Sequence, residues 1–124
     1  MRLYCLLLLA SVSVPTSPLR ADDPRIAGVN IMKLGMYWRV SVTLDHPDTG
    51  WDHYADAWQI VLEDGSVIGT RELMHPHVDE RPFTRSLNSV VVPDGTQRFY
   101  IRARCSHDGW SKTLYPVDVG PVLN

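Results

Sequence analysis

Cysteine is nearly absent from this chain: Cys5 and Cys105 are the two in 124 residues. A disulfide framework, the usual support of a small secreted domain, needs more. Basic charge is also scarce. Twelve Lys and Arg stand against 14 Asp and Glu, a net charge of −2, which excludes the electrostatic footprint of a nucleic-acid-binding protein. There is no Gly-x-Ser-x-Gly elbow and no glycine-rich phosphate loop. No apolar run reaches the roughly 20 residues of a permanent membrane span. No segment is repeated or of low complexity. With 44% hydrophobic and 21% charged residues, the composition is that of one globular domain.

What is present begins with a leader. Met1-Arg2 is followed by an apolar run over residues 3–14, then Pro15, Pro18 and the small residue Ala21. This is the layout of a secretory signal peptide over residues 1–21, leaving residues 22–124 as a single domain. Cys5 lies too early in the run for a lipoprotein attachment site. Cleavage removes Arg2, Arg20 and Cys5, so the mature chain is more acidic than the whole and keeps one cysteine. An exported domain without a disulfide must be held by its core, which fits a bacterial periplasmic or secreted protein. No permanent membrane insertion is expected.

Period-two patterns dominate the rest. Met36, Trp38, Val40, Val42 and Leu44 fall on one face of an extended segment, and Tyr37, Arg39, Ser41 and Thr43 on the other. Further strands are predicted over residues 25–32, 54–63, 66–73, 83–92, 98–105 and 112–119. Asp64-Gly65 stands between two of them as a two-residue hairpin. Trp38 and Trp58 point inward. So do Phe99, Ile101, Ala103 and Cys105, and Cys105 on that face reads as a small core residue rather than a nucleophile. Seven short strands separated by turns predict an all-β, antiparallel sandwich.

The stretch "FYIRARCSHDGWS" (99–111) resembles the last hairpin of a fibronectin type III or related immunoglobulin-like domain, through its apolar alternation, its strand alanine and the glycine of the loop. That resemblance implies a seven-stranded immunoglobulin-like sandwich and no particular activity. The run "HPHVDERPFTRSL" (75–87) resembles a segment of small exported bacterial proteins.

Antiparallel connections alternate between the two ends of a sandwich. The odd-numbered loops (33–35, 64–65 and 93–97) are short turns. The even-numbered loops (46–53, 75–82 and 106–111) are longer, and they carry every histidine: His46, His53, His75, His77 and His107. They also hold Trp51, Trp110, Asp48, Asp52, Asp79, Glu80 and Asp108 against Arg81 alone. One pole is therefore expected to be acidic, aromatic and rich in imidazole.

Two functions follow from that pole. The first is a non-catalytic binding or accessory module with no cofactor. It would engage another protein or an envelope component through Trp51, Asp52, His53, Asp79, Glu80, Arg81, Arg85 and Trp110. Aromatics on loops supply contact area for such a role. The same residues have plainer readings, the tryptophans as caps on the core and the charges as a loop-stiffening network. The second is a copper- or zinc-binding protein. His75 and His77, two apart in an extended segment, face one side. His46, His53 or His107 would complete the set, with Asp79 or Glu80 behind the ligands. No standard zinc spacing is present.

Overall fold

The computed structural model describes residues 23–120. The signal peptide predicted over residues 1–21 lies outside them. Eight strands form two antiparallel sheets, with no helix among the described residues. In the first sheet β1 (Arg25–Leu34) pairs with β2 (Tyr37–Asp45), which pairs with β5 (Phe83–Val90). In the second, β3 (Ala55–Val61) lies between β4 (Val67–Glu72) and β6 (Arg98–Cys105). The short β7 (Gly109–Trp110) and β8 (Tyr115–Asp118) share the other side of β6.

Alternation drives this arrangement. Val40, Val42 and Leu44 of β2 face Trp58 and Ile60 of β3 and Phe99, Ile101 and Ala103 of β6, all fully buried in one cluster. Burying an aliphatic or phenyl side chain of this kind contributes about 1.5–3 kcal/mol. The intervening residues of β2 are polar and pair across the strands. Ser41 Oγ meets Ser86 Oγ, and Thr43 Oγ1 meets Thr84 Oγ1, each at 2.7 Å, the cross-strand hydroxyl pairs that register an outer face.

Two expectations need correction. Alternation alone puts Met36 on the inward face of a strand beginning at 36. Instead Leu34 pairs with Tyr37, so Gly35 and Met36 form the turn, Gly35 has φ 64°, and Met36 is 86% exposed. The seventh strand, expected over 112–119, is the shorter β8, and an unexpected strand, β7, falls inside the loop expected over 106–111. Gly109, at φ 78°, folds the chain straight back so that Gly109 lies opposite Cys105 and Trp110 opposite Arg104. The chain then leaves the ladder and rejoins it, with Tyr115 opposite Ile101 and Asp118 opposite Arg98.

Candidate metal centre

Three strand ends meet at one pole. β2 finishes at Asp45 and delivers His46 from the first sheet. β3 starts at Ala55, two residues after His53, and Ala55 lies opposite Cys105 at the end of β6. The ladder continues past the strands: Ser106 N–H donates to Tyr54 O at 2.8 Å, and Tyr54 N–H donates to Ser106 Oγ at 3.0 Å. His53 is thereby held beside Cys105. The connecting turn is tied by Thr49 N–H to His53 O at 2.9 Å and His53 N–H to Gly50 O at 3.2 Å.

The result is a set of soft and borderline ligands between the two sheets. One ligand atom each of His46, His53 and Cys105 lies within 4.8 Å of the others, and His46 and Cys105 are buried. The His46 and His53 rings meet edge to face, with centroids 4.9 Å apart. His53 Nε2 is buried without a hydrogen-bond partner, a costly state for an imidazole unless something binds there. Ligand atoms around a tetrahedral ion stand about 3.5 Å apart, so contraction by about 1 Å closes the set.

Asp48 backs this group. Its side chain is fully buried. His46 Nδ1 donates to its Oδ1 at 2.5 Å, Ala55 N–H donates to the same oxygen at 3.0 Å, and His77 N–H donates to Oδ2 at 2.7 Å. An ionised carboxylate only accepts, so His46 carries its hydrogen on Nδ1 and its lone pair on Nε2. That is the tautomer a metal-ligating histidine needs.

The other predicted residues divide between two neighbourhoods. The His107 ring lies 5.8 Å from that of His53, and its Nδ1 is 3.0 Å from Asp108 Oδ1. His75 and His77 sit together on the far side of Asp48, with ring centroids 4.5 Å apart. His77 stacks on Phe83 at 3.8 Å, and its Nε2 accepts from Arg85 at 3.0 Å. A nitrogen accepting from a guanidinium is not available to a metal, whereas His77 Nδ1 is buried without a hydrogen-bond partner. Arg85 also holds Glu80 at 3.1 Å, while Arg81 pairs with Asp45. Asp52 and Asp79 are exposed. Trp51 is 68% exposed and meets Tyr54 edge to face. Trp110 does not cap the core: the guanidinium groups of Arg102 and Arg104 each lie 5.0 Å from its ring.

Sequence reasoning assigns no role here to Cys105 or Asp48. The usable signals are the spacings His46-x-Asp48 and Cys105-x-His107, each at the end of an inward-alternating strand.

Burial, and then the positive charge of Arg85 and the neighbouring His75, lower the pKa of His77 below the ordinary 6.5. The fold therefore favours neutral His77, whereas the unfolded chain takes up a proton near pH 6.5. Below that pH the unfolded state binds more protons, so stability present above about pH 6.5 is lost as the pH falls toward the folded-state value. Thermal melts at pH 7 and pH 5 are expected to show a smaller drop in His77→Asn than in the natural protein.

No protein-family model matches the chain. Over 104 residues it is 36% identical to a Halomicrobium mukohataei protein described as a "Putative lipoprotein", an alignment covering 83% of this chain and 51% of that protein. The chain thus spans about half the length of the curated relative it matches. The fold resembles that of a superoxide reductase. The superoxide reductase from Nanoarchaeum equitans matches with a TM-score of 0.51 at 16% identity, over 85% of this chain and 100% of that one. A hypothetical protein from Pyrococcus horikoshii matches with a TM-score of 0.49 at 15% identity, over 78% and 88%.

The expectation of a non-catalytic module without a cofactor is corrected by these findings. It discounts catalysis because hydrolase and phosphate-loop motifs are missing, but the fold resembles that of an enzyme named for a redox reaction, which calls for neither motif. It discounts a cofactor because no standard zinc spacing is present. His46, His53 and Cys105 come together from strand ends distant in sequence, which no linear motif records.

Proposed function

We propose that this chain is an exported, envelope-associated protein that holds a redox-active transition-metal ion between its sheets. The observation that carries this reading is the convergence of His46, His53 and Cys105 within 4.8 Å, with buried Asp48 fixing the His46 tautomer. Two imidazoles and a thiolate suit copper, iron or zinc. The lipoprotein likeness supports export and attachment to the envelope. The order β1-β2-β5 against β4-β3-β6 supports an immunoglobulin-like frame, which presents chemistry at its loop ends.

When bound, iron or copper supplies a one-electron couple. The chain's own residues divide the remaining work. Asp48 orients His46, the core side of the site keeps Cys105 dry, and half-exposed His53 faces the side from which a small oxidant arrives. Superoxide, for which the similar Nanoarchaeum equitans enzyme is named, is the first oxidant to test. The reduced protein is expected to take up one equivalent of Fe²⁺, Cu⁺ or Zn²⁺ at micromolar or tighter affinity in calorimetry, and its iron form to consume superoxide in stopped flow. Failure to bind either Fe²⁺ or Cu⁺ overturns the proposal, while zinc, which has no redox chemistry, tests the ligand set alone.

A further inference from the structure

We infer that Asp48 is the positioning residue of this centre and that it couples metal loading to the loop over residues 73–82. The inference rests on the metal reading above. Three donors converge on one carboxylate: the His46 ring, the Ala55 amide that opens β3, and the His77 amide in the middle of that loop. The Ala55 and His77 amides can only donate, one to each oxygen, and an ionised Asp48 leaves the His46 ring to donate from Nδ1 as well.

The arrangement has a structural consequence. His46 comes from the first sheet and Ala55 from the second, and the His77 loop joins β4 to β5 across them. One buried side chain therefore pins the ligating tautomer of His46, the start of the strand that follows His53, and the loop whose His77 meets Arg85 of β5. An ion that draws His46 Nε2 moves the ring against Asp48, and Oδ2 passes the displacement to the His77 amide. Loading and loop order rise together.

Asp48→Asn discriminates this role from simple packing, because it keeps the shape and replaces one oxygen by an NH₂ group. That group must face a donor. If it faces His46, the ring has to accept at Nδ1 and carry its hydrogen on Nε2, the tautomer that cannot ligate. If it faces His77, the loop loses its anchor.

The test uses nitrogen-detected NMR of the imidazoles, zinc and cobalt affinities by competition, and amide exchange at His77. The metal-free natural protein is expected to show His46 protonated on Nδ1, and zinc is expected to slow exchange at His77. In Asp48→Asn, affinity is expected to fall about 10–100-fold, and zinc is expected to leave exchange at His77 unchanged. Should the variant not fold, the tautomer and the exchange response of the natural protein still decide. His46 protonated on Nε2, or exchange at His77 indifferent to zinc, overturns the role of Asp48. Unchanged affinity in a folded Asp48→Asn does the same. A natural protein that binds neither zinc nor cobalt, and neither Fe²⁺ nor Cu⁺, overturns the metal centre itself, whatever the tautomer.

Discussion

Cys105→Ser is expected to abolish tight metal binding while leaving the sandwich folded. The thiolate is the one soft donor in the set, and a serine hydroxyl does not ionise to replace it. The loss in affinity is expected to exceed the roughly 10–100-fold typical of losing a carboxylate behind a ligand. Cys105 is fully buried opposite Ala55, so the new hydroxyl costs about 1–3 kcal/mol if it finds no partner. That is a fraction of the roughly 5–15 kcal/mol that holds a domain of this kind. His53→Ala is the companion variant. Its ring is only half-buried on a loop, so it removes a ligand with little loss of packing. Copper or cobalt titrations followed through the near-ultraviolet sulfur-to-metal band read both variants. Native affinity and an intact band in Cys105→Ser would exclude the thiolate from the centre.

The frame was legible because burial on a sheet has a period of two. The predicted strand over 98–105 coincides with β6, since Phe99, Ile101, Ala103 and Cys105 alternate with charged or hydroxylated residues without a break. Met36 continues the same alternation on β2, but a turn glycine overrides it. β7 is hidden because two residues carry no period at all. For the site, the alternation of loops is informative and the pairing of side chains is not. His75-Pro76-His77 has a chelating spacing, yet Arg85 on the next strand occupies His77 Nε2. Cys105 reads as inert in the sequence because it points inward. Its position at the end of β6, where the core gives way to the histidine loops, changes what burial means there: a dry donor rather than filler. Only the register, Ala55 opposite Cys105, reveals this.

Trp58→Ala is expected to remove a large part of the stability and zinc to restore much of it. Trp58 is fully buried at the middle of β3, opposite Arg71 and Ala103. Truncating a core tryptophan costs about 3–5 kcal/mol. Here the lower end applies, because Trp58 Nε1 is buried without a hydrogen-bond partner and its loss also removes an unsatisfied donor. Metal binds the folded state only if the strand ends are assembled, so zinc at about a hundred times its dissociation constant adds about 2.7 kcal/mol to any variant that retains the site. Urea unfolding with and without zinc should therefore give the same increment in the natural protein and in Trp58→Ala. The substitution lies in the body of the sheet, whereas His53 and Cys105 are fixed from its end by the Tyr54–Ser106 hydrogen bonds. An increment in the natural protein that vanishes in the variant would show that the core sets the site geometry as well as the stability. An increment in neither would show that His46, His53 and Cys105 hold no zinc.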